Sequence, residues 1–176
     1  MQHDNPLVSE CAQVLRQGIA LIEQLDDTRY SATASLPIHS GVGAHFRHCL
    51  DFYQSFIAGV RAGVVDYNRR ERDVQVEHDR AFAATRLRIA CAELAALPIT
   101  DGATPLYVAL EGAGADAPWC ESTVLRELQF LLSHTIHHYA LIALVLRLQG
   151  FAPDAEFGVN PSTLQHWQQQ EALCAQ

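Results

Sequence analysis

Apolar residues recur along most of this chain at intervals of three and four, the period of helices that bury one face. From Pro6 to Leu25 the face is Leu7, Cys11, Leu15, Ile22 and Leu25, with Asn5 as N-cap and Pro6 at the first position, where its missing N–H is not needed. A loop rich in Ser, Thr and Ala, ending in Pro37-Ile38-His39-Ser40, leads to a second helix from about Gly41. Ser40 is its expected cap, and Val42, Phe46, Leu50, Tyr53, Ile57 and Val60 form its apolar stripe. The third helix is expected from Glu77 to Leu97, with Ala83, Leu87, Ala90, Cys91 and Leu94 inward and Pro98 as the stop. A fourth begins at the expected cap Ser122 and runs to Gly150, and Ser162 caps a short last helix ending near Leu173.

The pattern changes between Pro98 and Ser122. There Gly, Pro, Thr and Asp surround one alternating run, Pro105-Leu106-Tyr107-Val108-Ala109-Leu110, which predicts a short hairpin turning near Gly112-Ala113-Gly114. The expected architecture is therefore all-α, a bundle over about 5–150 with a C-terminal extension over 151–176, in a single domain of 176 residues. The run Tyr139-Ala140-Leu141-Ile142-Ala143-Leu144-Val145-Leu146 is apolar on nearly every side. One small bundle cannot cover all of it, so part is expected to face a second copy, in a homodimer, or the C-terminal segment.

Composition narrows the possible roles. Hydrophobic residues make up 49% of the chain, yet no stretch approaches roughly 20 uninterrupted apolar residues, so no membrane partner is expected. The start, Met1-Gln2-His3-Asp4-Asn5-Pro6, has no basic segment followed by an apolar one, and the expected location is the cytoplasm. Cys11, Cys49, Cys91, Cys120 and Cys174 are odd in number and form no C-x-x-C pair, which predicts reduced thiols. A net charge of −8, with the basic residues dispersed, disfavours nucleic acid as a partner. All twelve basic residues are arginine, which excludes a lysine Schiff base and a P-loop lysine.

Of nine histidines, five fall in two groups on expected helices: His45 with His48, and His134 with His137 and His138. Residues four apart on a helix differ by about 40° around the axis and one turn along it, so His134 and His138 project side by side. Two such imidazoles, joined by a third from a facing helix, form a transition-metal site with coordination positions left open. The fourth helix is also the most apolar element, where unpaired polar rings are costly. On the second helix the apolar stripe places His45 nearer the core than His48.

Other chemistries are weaker. The base of an H-E-x-x-H peptidase would stand at 135, which is Thr135. Cys49 follows His48 directly, and neighbours on a helix point about 100° apart, so Cys49 is read as core packing rather than a nucleophile. Gly41-Val42-Gly43 and Gly112-Ala113-Gly114 lack the preceding strand and third glycine of a dinucleotide fingerprint.

The segments Gly43-Ala44-His45-Phe46-Arg47-His48-Cys49-Leu50-Asp51 and His134-Thr135-Ile136-His137-His138 resemble the DinB/YfiT-like family. The resemblance implies a four-helix bundle. It also implies one metal-ligating histidine on the second helix, followed at three residues by an aspartate, and a pair four apart on the last bundle helix. On that pattern His48, His134 and His138 hold a divalent transition metal, zinc or nickel. Asp51, one turn beyond His48, and Glu127, two turns before His134, are candidates to hold a ligand imidazole by its other nitrogen, and His137 is a weaker one. The segment Asp66-Tyr67-Asn68-Arg69-Arg70-Glu71-Arg72-Asp73, followed by Glu77, also resembles a feature of some members. It reads as a solvated loop, as a mixed-sign network tying the second helix to the third, or as an anion site built from Arg69, Arg70 and Arg72.

Relatives of that family include thiol-dependent S-transferases and a maleylpyruvate isomerase, so the resemblance implies an enzyme that activates water or a small-molecule thiol, with Glu127 or His45 moving protons. The alternative is a non-catalytic, structural or stress-related dimer in which the ion clamps two helices. A fourth protein ligand favours the clamp, and an open cleft lined by arginine favours the enzyme.

Overall fold

A computed structural model describes residues 5–33, 40–99, 101–110, 112 and 118–174. Helix α1 (Pro6–Gln24) starts as expected, with the Asn5 side chain accepting from the Leu7 N–H. A five-residue helix, α2 (Asp27–Ser31), follows on the Asp26 cap. It is too short to show periodicity and was not expected from the pattern. Helix α3 (Val42–Val60) corrects the Ser40 cap: its N-cap is Gly41, with no side-chain bond. The loop residues Pro37, Ile38 and His39 lie outside the described residues.

The expected third helix is broken in two. Asp79 closes α4 (Val74–His78), and its side chain accepts from the Phe82 N–H to cap α5 (Arg80–Ala95). An aspartate bonded to the backbone in this way favours a cap over a helix interior. Before α4, a two-residue strand β1 (Val64–Val65) and a 3-10 turn (Tyr67–Arg69) leave the end of α3.

The expected hairpin is present as β2 (Pro105–Ala109) and β3 (Trp119–Thr123), antiparallel with Tyr107 opposite Glu121. Residues 113–114 of the expected turn lie outside the described residues. Strand β1 adds in parallel to the other edge of β2, giving the order β1-β2-β3. Ser122 therefore lies in β3, and the cap of α6 (Val124–Leu148) is Thr123, whose hydroxyl accepts from the Arg126 N–H. Helix α7 (Pro161–Cys174) is capped by the Asn160 side chain rather than Ser162, which instead donates to it.

Four long helices neighbour one another in a ring, α1 against α5 and α6, and α3 against α5 and α6. A single apolar cluster runs through them from Cys11 to Phe157. Two glycines set the closeness of approach: a Cβ on Gly43 would lie 2.0 Å from the Glu77 carbonyl oxygen of α4, and one on Gly18 of α1 would lie 2.1 Å from the Tyr139 hydroxyl of α6. The chain is thus mostly helical with a small sheet at one side.

By length and composition α6 alone among the described helices would be able to cross a membrane, with a mean hydropathy of 1.3, and half of that stretch is buried inside the structure. Tyr139, Ile142, Val145 and Leu146 are all fully buried. Phe157, from the segment after α6, stacks on Tyr139 at 4.7 Å, so that segment does fold back over the apolar run.

Candidate metal centre

Helices α3 and α6 pack side by side, and their histidines meet along the seam. His48 and His134 face each other with their Nε2 atoms 2.9 Å apart. The His138 ring lies 4.4 Å from that of His48 and 4.6 Å from that of His134. One nitrogen from each of the three lies within 4.8 Å of the others. Nitrogens bonded at about 2.0–2.1 Å in a tetrahedral site lie about 3.3 Å apart. The donors therefore fit an ion after shifts of a few tenths of an ångström to about an ångström, with three half-buried imidazoles presented from two helices.

The electrostatics also suit a neutral donor set. Burial comes first in lowering the His48 pKa from its ordinary 6.5 to about 4, followed by His134, Arg70, Arg47 and His45. Burial likewise lowers His138 to about 3, with His48, His134 and His45 next. These rings present lone pairs near neutral pH, the state a metal requires.

His45, nearer the core as its stripe implied, is 8% exposed. Its Nδ1 lies 3.0 Å from His138 Nδ1, and burial lowers its pKa. His137 is exposed, its ring 5.2 Å from that of His138.

The carboxylates take other partners. Asp51 accepts from Arg47 Nη1 at 2.8 Å, while Arg47 Nε donates to Glu77 at 2.6 Å. The charge of Arg70 and the backbone N–H of Arg72 also act on Asp51, so the segment after Asp66 shares in this network, and Arg47 ties α3 to α4. Its signal was the i,i+4 spacing to Asp51. Glu127 accepts from the Tyr67 hydroxyl at 3.0 Å and from the Ser122 hydroxyl at 2.6 Å.

Of the three anion candidates, the structure brings Arg70 to the histidines. Its guanidinium lies 4.4 Å over the Phe52 ring, and Phe52 packs against His48 at 4.9 Å and His134 at 4.4 Å. Arg69 is exposed and pairs with Asp66 at 3.3 Å, while Arg72 is exposed with a φ of 53°. Cys49 is fully buried and its thiol pKa is raised by burial, in keeping with core packing.

Sequence reasoning missed the aromatic wall. Phe130 lies one turn before His134, with ring centroids 5.3 Å apart, and Tyr67 stacks on Phe52 at 5.0 Å. On the far side of Phe130 and Tyr67 a pocket of about 320 Å³ opens between the start of α6 and the hairpin, with Ser122, Arg126 and Glu127 in its lining. The helical spacing of Phe130 and His134 was the available signal, and Phe130 had no other mark in the sequence.

No family model matches the chain. A protein described as FK506-binding protein 5, from Rhizopus delemar, is similar to it, 30% identical over 109 residues. The match covers 61% of this chain and 28% of that protein, so it spans less than a third of the relative's length.

Proposed function

We propose that the chain is a four-helix bundle of the DinB type that binds one divalent transition ion, zinc or nickel, through His48, His134 and His138 and uses it on a small-molecule substrate. The observation that carries the reading is the convergence of three imidazole nitrogens from α3 and α6 within 4.8 Å of one another. Resident ions in purely structural sites usually have four protein ligands, whereas catalytic ones keep a position open. Among the described residues the converging set holds three donors, which favours the catalytic reading over a helix clamp.

When bound, such an ion supplies Lewis acidity, which lowers the pKa of a coordinated water or small-molecule thiol and makes it a nucleophile near neutral pH. The chain's own residues supply the surroundings. Phe52, Phe130 and Tyr67 form an apolar wall that limits water. Arg70, stacked on Phe52 beside the histidines, is the residue we assign to an anionic group of the substrate. We further propose a cytoplasmic homodimer that engages neither nucleic acid nor membrane.

The test combines elemental analysis with turnover. Purified wild type should carry about one ion per chain and His134→Ala should carry none; equal contents in the two ends the reading. A panel of thiol and carboxylate substrates should reveal turnover that needs the ion and is weakened in binding by Arg70→Ala. Ion binding without any turnover returns the chain to the structural alternative.

A further inference from the structure

His45 and His138 meet through the same kind of nitrogen. Their Nδ1 atoms are 3.0 Å apart, with the rings tilted by 42°. A hydrogen bond at that distance needs one donor and one acceptor, and a neutral imidazole carries its proton on only one nitrogen. The two possible arrangements differ in what they leave at the other end of His138. If His45 donates, the His138 proton is on Nε2, and the remaining nitrogen of that ring is blocked. If His138 donates, its Nε2 carries a lone pair.

We propose that His45 is the positioning residue of the metal centre: it accepts the His138 Nδ1 proton, and thereby fixes both the tautomer and the rotation of the ring that presents Nε2 to the ion. The proposal rests on the ion-binding reading above and assigns His45 a place outside the ligand set. A metal-ligating histidine ordinarily gives its second N–H to a carboxylate or a backbone carbonyl. Here the two nearby carboxylates are taken, Asp51 by Arg47 and Glu127 by Tyr67 and Ser122. His45 occupies the vacant role, reaching His138 from α3 just as His48 reaches His134 one turn further on.

The surroundings of His45 favour a fixed ring over a proton carrier. It is buried, and among the described residues its Nε2 has neither solvent contact nor a hydrogen-bond partner. A proton on Nε2 therefore has no onward acceptor among the described residues. The same buried atom makes the arrangement costly, since an unsatisfied buried donor loses the hydrogen bonds it had in water. Ion binding at His138 Nε2 offsets that cost, because it requires the His138 proton to sit on Nδ1.

Nitrogen-15 NMR of the zinc-loaded wild-type chain reads the tautomers directly. His138 should be bound through Nε2 with its proton on Nδ1, and His45 should carry its proton on Nε2. Ligation of His138 through Nδ1, or ligation by His45 itself, overturns the proposal without touching the ion-binding reading. Zinc affinity by chelator competition gives the second arm. His45→Ala should keep one zinc per chain and weaken affinity about 10- to 100-fold. His45→Asn, whose amide oxygen occupies the place of Nδ1, should restore it. Unchanged affinity in His45→Ala refutes positioning, as does loss of all zinc in both variants. A wild-type protein that binds no zinc or nickel fails the reading itself and the proposal with it. If His45→Ala does not fold, the NMR assignment decides alone.

Discussion

His48 of α3 and His134 of α6 face each other through their Nε2 atoms at 2.9 Å, so the two helices are joined by a pair of rings that cannot both be charged at that distance. His48 and the neighbouring His138 contribute to the pH response of the metal-free protein. The pKa values of His48 and His138 in the folded chain lie near 4 and 3, below the ordinary 6.5, so between these limits the unfolded chain binds more protons. Stability contributed by the neutral rings is fully present above pH 6.5 and is lost as pH falls through 6.5 toward 4 and then 3. The urea midpoint of the metal-free chain should therefore fall between pH 7 and pH 4.5. In His48→Gln/His138→Gln the fall should be much shallower, and an equally steep one in that variant assigns the response elsewhere.

The Arg47 ion pairs make a second prediction. The Asp51 side chain is 1% exposed, and Arg47 holds it on one side and Glu77 of α4 on the other. Removing one partner of a buried pair strands the other, at a cost of about 3–5 kcal/mol. Arg47→Ala should lower stability by that order, and Arg47→Leu/Asp51→Leu should recover much of it. Urea denaturation checks both. A loss below about 1 kcal/mol in Arg47→Ala would place the pair with ordinary surface bridges.

The histidines were legible in the sequence because spacing on a helix is a geometric statement: His134 and His138, four apart, share a face wherever α6 sits. Which second-helix histidine joins them was not legible from the stripe alone. His45 is the more buried, yet His48 is the ring that converges with His134 and His138, since burial and orientation toward a neighbouring helix are different properties. The family resemblance pointed to His48 where the stripe did not. Helix α2, strand β1 and the break at Asp79 escaped because elements of two to five residues carry no period, and their causes are single side chains: Asp26 capping α2 and Asp79 capping α5. The hairpin is legible from alternation in β2, but the boundary at Ser122 and Thr123 is not, because a strand running straight into a helix leaves no loop to mark it. Arg47 carries an i,i+4 spacing to Asp51, a weaker mark in the sequence than the dense arginines at 69–72.

The apolar run of α6 leaves little uncovered. Phe157 stacks on Tyr139, and the backbone of Gly158 passes so near Ala140 that a Cβ there would lie 2.5 Å from its nitrogen. What remains exposed is Ala140, Leu144 and Leu148, four apart on one face, with the two leucines about half exposed. If the chain is a homodimer through α6, this stripe is its seam. Sedimentation at micromolar concentration should give a dimer, and Leu144→Glu/Leu148→Glu should give a monomer. A monomeric wild type would mean that the segment from Phe151 to Gly158 already supplies the cover.

Glu127 separates a structural carboxylate from a proton carrier. It is buried, with one oxygen accepting from Tyr67 and the other from Ser122, and it ties the turn after β1 and the end of β3 to the first turn of α6. Burial, followed by the Glu127 charge, raises the Tyr67 pKa, so the phenol stays a donor. Glu127→Ala leaves that hydroxyl buried without its acceptor and should cost about 1–3 kcal/mol. Metal content should be unchanged, because the carboxylate engages no ligand ring. Glu127→Gln keeps a carbonyl for one hydroxyl, and the other can rotate to accept from the amide, so its stability should lie closer to wild type. If Glu127 only holds the hairpin, turnover in Glu127→Gln should follow wild type. Loss of turnover in a stable, metal-replete Glu127→Gln protein would instead assign the carboxylate to proton transfer at the pocket that it lines.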